Sequence, residues 1–354
     1  MQTPASLGYR MPAEWEPHAA TWLSWPRREG ISFPNSYDRV TPTLREMVAA
    51  LITSEPVCIN VTNGAHEAEA RAVLDALPQE CITYYPIPTD EPWCRDHGPM
   101  FLTRDEDPRL AIVDWGHNAW GGKYPPYNLD DAVPTRVAET LGLPVYDGGM
   151  ILEGGSIDVN GSGACLTTES CLLNPNRNPN MTREQIETRM REFMGVREIF
   201  WLSRGTEGDD TDGHIDNLAR FVRERTVLAI VEQDPSSANY EPLQENLARL
   251  QEIRIGGEPL EIVKLPTTAE MIREELTLPA SYANFYIANE VVLVPTYGDP
   301  NDAPAIATIQ WAFPDRRVAP IDCRELIWGL GAFHCLTQQQ PAVGPVARPG
   351  ARSM

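Results

Sequence analysis

Residues 152–168, Leu152-Glu153-Gly154-Gly155-Ser156-Ile157-Asp158-Val159-Asn160-Gly161-Ser162-Gly163-Ala164-Cys165-Leu166-Thr167-Thr168, decide the fold. Asn160-Gly161-Ser162-Gly163 is the clearest turn signal in the chain, and it separates two runs of β-branched and apolar residues. Residues 156–159 are therefore expected to pair with residues 164–168 as a hairpin. Downstream, residues 182–194 carry a helical pattern opened by the cap-type run Asn180-Met181-Thr182, and residues 198–202 form another short apolar segment. The unit is ββαβ, with a polar motif, Leu152-Glu153-Gly154-Gly155, just ahead of its first strand.

Working outward, the same order recurs. Residues 100–102 pair with 110–114, then come a helical pattern at 130–141 and an apolar segment at 144–146. Residues 218–222 pair with 227–231 across Arg223–Arg225, followed by a helix at 240–253 with Leu243, Leu247 and Leu250 on one face and a segment at 261–266. Residues 285–288 pair with 291–295 across Asn289-Glu290, followed by a helix at 302–313 and a segment at 317–322. A fifth unit exists if the chain closes on itself. Residues 333–337 would then pair with residues 19–25, ahead of a helix bearing Val40, Leu44, Val48 and Leu51 and an alternating strand with Val57, Ile59 and Val61. An irregular period of roughly sixty residues predicts an α/β fold of five ββαβ modules around an axis, in one domain spanning residues 1–354 with a loose tail at 342–354. The competing reading is an ordinary α/β fold with hairpin decorations.

Composition narrows the function classes. Hydrophobic residues make up 42% and charged residues 22% of the 354, which is ordinary for a folded domain. The formal charge of −21, from 50 acids against 29 bases, disfavours nucleic acid or an acidic lipid surface as a partner and suits a small cation. No apolar run is long enough to span a bilayer, and Met1-Gln2-Thr3-Pro4-Ala5 lacks the basic start and apolar core of a secretory signal, so a cytoplasmic address is expected. Seven cysteines without a CxxC pair argue against a disulfide framework or a zinc ribbon. A homo-oligomer is compatible with the sequence, which fixes no symmetry for it.

Polar motifs fall at the start of the first hairpin strand in four of the five units. They are Arg95-Asp96-His97-Gly98-Pro99, Leu152-Glu153-Gly154-Gly155, Asp212-Gly213-His214-Ile215-Asp216-Asn217 and Phe333-His334-Cys335-Leu336-Thr337. Cys335 is a candidate nucleophile, against the alternative of an inert buried thiol, because Gly329 and Gly331 leave room for a ligand to approach the backbone. His214 and Asp216, two apart, would face the same side of an extended segment, and His214 suits general acid/base work. No further metal ligands stand at suitable spacing, so no metal is expected. His334, on the opposite face of a strand from Cys335, reads as a structural or supporting histidine. Asp96 and Glu153 gain a purpose if the ligand is cationic. A guanidinium fits: it is planar, it pairs bidentately with carboxylates, and its charge favours a thiolate beside it. Thiolate attack, loss of ammonia and hydrolysis of the covalent intermediate would replace C=NH with C=O.

Together with the block Asn284-Phe285-Tyr286-Ile287-Ala288-Asn289, these motifs resemble the guanidine-modifying (pentein) superfamily of five-bladed α/β propellers. Within it they resemble the agmatine deiminases of the Porphyromonas-type peptidylarginine deiminase family. The resemblance runs from Met11-Pro12-Ala13-Glu14-Trp15 to Thr337-Gln338-Gln339-Gln340-Pro341. It implies Cys335 as nucleophile, His214 as general acid/base, Asp96 and Asp216 as guanidinium clamps, Glu153 as partner of the histidine, and no cofactor. Agmatine is the implied substrate, with free or peptidyl arginine, or a cysteine-dependent amidase, as alternatives. Its distal ammonium would need an acid, with Asp210, Asp212, Asp90 and Glu91 as candidates, and Trp93 would wall the methylene chain. One departure is Gly329-Leu330-Gly331-Ala332 before the cysteine, where the family carries a more continuous glycine run.

Overall fold

The computed structural model describes residues 2–344, so residues 345–354 of the expected tail lie outside it. Five sheets share one strand order: an antiparallel hairpin whose second strand pairs in parallel with a third. The first comprises Met100–Thr103, Leu110–Gly116 and Val145–Ile151, and the second Ile157–Val159, Ala164–Thr168 and Glu198–Leu202. The third comprises Ala219–Arg223, Thr226–Val231 and Glu261–Pro266, and the fourth Tyr286–Ile287, Val291–Thr296 and Arg317–Asp322. In the fifth, Thr337–Pro341 from the C-terminal side pairs antiparallel with His18–Ser24, which pairs in parallel with Val57–Asn60. The chain is thus closed by strands from its two ends.

A parallel pair needs a long crossover, and each unit supplies a helix. These are Tyr37–Leu51, Val133–Leu141, Arg183–Met194, Tyr240–Glu252 and Asp302–Ala312. Tyr37–Leu51 buries Val40, Leu44, Met47, Val48 and Leu51, the stripe that helical spacing predicts. Arg183–Met194 opens on a capping box, in which Thr182 Oγ1 accepts from the Gln185 N–H at 3.4 Å and Gln185 Oε1 accepts from the Thr182 N–H at 2.8 Å. Middle strands are buried at every position in Val57–Asn60, Ala164–Thr168 and Thr226–Val231. They lie under cover on both faces, which explains why they read as continuous apolar runs.

The sequence reading needs correction at four places. Residues 333–336 are not a strand: Phe333–Leu336 is one helical turn, and the strand begins at Thr337. Ile215–Asn217 is likewise a tight turn rather than extended chain. The helix expected at 130–141 begins at Val133, after a separate turn at Asn128–Asp131. The fifth sheet gains a fourth strand, Ile82–Tyr85, beside Val57–Asn60. No helix among the described residues is long and apolar enough to cross a membrane.

Candidate active site

The residues just ahead of each first strand are Asp96, Glu153, Asp216, Asn284 and Cys335, one from every unit. Asn284 comes from the one unit in which the sequence showed no polar motif. All are buried, as is His214. Gly155 marks their meeting point. A Cβ there would lie 2.5 Å from His214 Nδ1, 2.8 Å from Asp96 Oδ1 and 3.0 Å from Asp216 Oδ2, so only glycine leaves room for the three side chains.

Cys335 sits in the helical turn Phe333–Leu336. The backbone N–H groups of His334 and Cys335 donate to Asn284 Oδ1 at 3.1 and 3.3 Å, and Asn284 Nδ2 donates to Cys335 Sγ at 3.1 Å. Asp216 Oδ2 lies 3.6 Å from the sulfur. Burial, then the charges of Asp216 and Asp96, pushes the thiol well above its ordinary range. Gly329 and Gly331 both abut the Trp93 ring, where added Cβ atoms would approach to 2.7 and 2.6 Å. The departure Leu330 occupies the left-handed region with φ 70° between them. The glycines therefore seat Trp93 against the loop that leads into Cys335.

Asp96 accepts from Trp120 Nε1 at 2.9 Å and from the Gly155 N–H at 3.0 Å. Burial pushes its pKa up to about 6, against the nearby His214 and with the charges of Asp216 and Glu153. Asp216 is held below the ordinary carboxylate range: burial opposes ionisation, but His334, His214 and Arg220 outweigh it. Asp216 Oδ1 is buried without a hydrogen-bond partner among the described residues.

His214 Nδ1 stands 3.6 Å from Asp96 Oδ1. Burial favours the neutral ring, yet Asp96, Cys171 and Glu153 together raise its pKa well above the ordinary value, so the imidazolium is the resting form at neutral pH. Glu153, Cys171 and His214 each present a ligand atom within 4.8 Å of the others. Arg177 Nε donates to Glu153 Oε1 at 2.5 Å, which sets a fixed positive charge on that cluster. A divalent ion is disfavoured beside it, and the cluster's effect falls on His214.

Arg177, buried and absent from the sequence reading, also bonds Asp212 Oδ2 at 2.7 Å and the Thr211 carbonyl at 3.0 Å. Asp212 additionally takes Lys123 Nζ at 3.0 Å and Asn176 Nδ2 at 3.0 Å, so both its oxygens tie loops together. Glu91 caps Ile31 and Ser32 N–H groups at 3.0 Å each, and Asp90 Oδ2 caps the Leu129 N–H at 2.9 Å. Asp210 Oδ2 is engaged by the Tyr124 hydroxyl. Glu14, Trp120, Arg177, Cys171 and Asn284 escaped the sequence reading as site residues. Glu14 and Asn284 lie in quoted blocks, and Trp120 precedes Gly121-Gly122, the signals that were present.

Comparison with known proteins agrees over nearly the whole chain. The family model described as Porphyromonas-type peptidyl-arginine deiminase matches residues 10–341. An agmatine deiminase of Pseudomonas aeruginosa (strain LESB58) is 38% identical over 364 residues, covering 96% of this chain and 97% of that protein. One from Ectopseudomonas mendocina (strain ymp) is 37% identical over 96% of this chain and 97% of its own. Among solved structures, the agmatine deiminase of Enterococcus faecalis superposes with a TM-score of 0.91 at 32% identity, covering 97% of this chain and 99% of that one. The chain belongs to the Porphyromonas-type peptidyl-arginine deiminase family.

Proposed function

We propose that this protein hydrolyses the guanidinium of agmatine to N-carbamoylputrescine and ammonia. The observation that carries this is the pair of buried carboxylates, Asp96 and Asp216, closing on Gly155 beside the Cys335 thiol. His214 balances one of those charges, and a substrate cation supplies the other. Two relatives and one solved structure described as agmatine deiminases support the choice of substrate. In the same reading the five sheets form a pseudo-fivefold propeller with the site on its axis, residues 1–354 act as one catalytic domain, and the enzyme works in the cytoplasm with its seven cysteines as free thiols.

The guanidinium lies between Asp96 and Asp216, with its carbon facing Cys335 Sγ. Its charge offsets the two carboxylates that hold the thiol protonated, and the thiol ionises. Thiolate attack forms an S–C bond and a tetrahedral adduct. The His214 imidazolium gives its proton to the departing nitrogen, the C–N bond breaks, and ammonia leaves an amidino-cysteine. His214, now neutral, takes a proton from water, and the hydroxide adds to the same carbon. The C–S bond then breaks as the added hydroxyl gives its proton to solvent, returning the thiolate and the carbamoyl product. Glu153, oriented by Arg177, sustains the charged imidazole. Trp93 lines the approach to Cys335, and the distal ammonium is assigned to Asp210, which among the four candidate acids keeps Oδ1 without a protein partner among the described residues.

Intact mass after acid quench, with ammonia measured in parallel, tests the reading. Agmatine should yield ammonia and an adduct on Cys335, both absent in Cys335→Ala. Faster turnover of arginine than of agmatine at equal concentration would replace the substrate and keep the chemistry.

A further inference from the structure

We propose that His334 is a positioning residue that fixes Asp216 and the nucleophile together, a role that rests on the deiminase reading of the same site. His334 Nδ1 lies 2.7 Å from Asp216 Oδ2, and Nε2 lies 2.8 Å from Glu14 Oε2. Both ring nitrogens face a carboxylate oxygen, so both donate. Glu14 is itself pinned: Oε2 meets Arg220 Nη2 at 2.9 Å and Arg95 Nη2 at 3.2 Å, and Oε1 accepts from the Ile287 N–H at 2.8 Å. Burial opposes its charge, but Arg220, His334 and Arg95 hold it well below the ordinary carboxylate range. The bridge therefore has a rigid anchor.

Its other end sets the chemistry. With Oδ2 taken by His334, Asp216 is held with Oδ1, the oxygen lacking a partner, free for the substrate. The same residue reaches the second clamp through its backbone, because the His334 carbonyl accepts from Arg95 Nε at 3.3 Å, next to Asp96. Cys335 follows it in the same turn, 3.6 Å from Asp216 Oδ2. One side chain and its carbonyl thus tie both carboxylates and the thiol to a single buried ion network. Drawing negative charge from Oδ2 also eases ionisation of the sulfur beside it.

The test compares wild type with His334→Gln, which keeps bulk and one donor but cannot bridge two carboxylates. Three readouts are taken: the unfolding midpoint, kcat and KM for agmatine, and the pH dependence of Cys335 alkylation by iodoacetamide without substrate. The titratable groups acting on Cys335 in that profile include Asp216, Asp96 and Tyr297, and Asn284 donates to its sulfur. Expected are a ~10²-fold loss of kcat/KM, shared between a higher KM and a lower kcat, and an alkylation profile moved to higher pH. A variant with wild-type KM and an unmoved profile would overturn the proposal, whatever its midpoint. A measurement on the unmodified protein covers a variant that does not fold. Spectra of ring-¹⁵N-histidine protein at neutral pH should contain three rings with both N–H protons protected from exchange: His214, His334, and His18, whose nitrogens meet Glu55 Oε1 at 2.9 Å and the Glu14 carbonyl at 2.7 Å. A His334 ring lacking either N–H proton would overturn it. Wild-type protein that releases no ammonia from agmatine would sink the substrate reading instead, and leave the alkylation and spectral comparisons standing.

Discussion

Trp120 donates its indole N–H to Asp96 Oδ2 at 2.9 Å from a backbone held in the left-handed region, φ 54°. Ala119 beside it has φ 52°, and Gly121 and Gly122 continue the positive run. Non-glycine residues adopt this conformation at a cost, so the segment is held by what it contacts. Since the Gly155 N–H takes the other oxygen, Asp96 has a defined plane before any ligand arrives. A pre-set plane is what a planar guanidinium needs from its partner.

Trp120→Phe should keep the ring packing and lose this plane. A hydrogen bond to a charged group contributes about 1.5–3 kcal/mol, so kcat/KM for agmatine should fall by roughly tenfold or more. The loss should appear mainly in KM, since Asp96 binds and orients. Steady-state kinetics alongside an unfolding midpoint checks it, and an unchanged KM would mean that the indole serves packing alone.

Gly155→Ala probes the crowded centre. Its Cβ would meet His214 Nδ1 at 2.5 Å, Asp96 Oδ1 at 2.8 Å and Asp216 Oδ2 at 3.0 Å, distances at which the side chains must move. Displacing three groups by a few tenths of an ångström or more should cost at least ~10²-fold in kcat/KM. Ammonia release per folded enzyme is the measurement, and near-native turnover would place the chemistry elsewhere.

The module pattern was legible because its signals are local. Asn160-Gly161-Ser162-Gly163 specifies its own turn, and Leu243, Leu247 and Leu250 specify their own helical face. Phe333–Leu336 was misread for the complementary reason. Its apolar residues suit a strand, but Asn284 draws two successive N–H groups onto one carbonyl oxygen and coils the segment instead. No residue near Cys335 in sequence signals this. Asp212 offered a free carboxylate in the sequence and is engaged by Arg177 and Lys123 in the fold. Cys335, His214, Asp96 and Asp216 could be singled out as candidates by residue type and motif. Their supporting residues, Glu14, Arg177, Cys171 and Trp120, could not, since what they do depends on neighbours distant in the chain.

Asp96 should give the enzyme an acid limb. Its pKa in the empty site is about 6, chiefly from burial, opposed by His214 and reinforced by Asp216 and Glu153. Below that pH the carboxyl is neutral and cannot pair with a guanidinium, whereas above it the charge is present. Because kcat/KM reports the free enzyme, in which the thiol is also protonated, it should climb ~10-fold per pH unit above about 6 and fall ~100-fold per unit beneath it, where Asp96 takes up a second proton. Asp216, whose pKa is depressed, stays ionised through this range, and His214, whose pKa is raised, stays protonated. A slope that stays at ~10-fold per unit down to about pH 5 would show that Asp96 is not the titrating partner of the substrate.

Substrate binding should release a proton. In the empty site the Cys335 thiol is protonated, raised by burial and by Asp216 and Asp96, while His214 already carries its own proton. The imidazole therefore cannot take the thiol's proton when the guanidinium arrives, and that proton leaves to solvent. The overall hydrolysis of a guanidinium to a urea and ammonium consumes no net proton, so the release must be transient. Stopped-flow absorbance with an indicator in weak buffer, two pH units above the Asp96 value of about 6, isolates the thiol from that carboxyl. A transient approaching one proton per site, ahead of ammonia formation and absent in Cys335→Ser, is expected. A flat trace during a full single turnover would mean that the proton passes to a base inside the site, and His214 would then have to be neutral before the substrate binds.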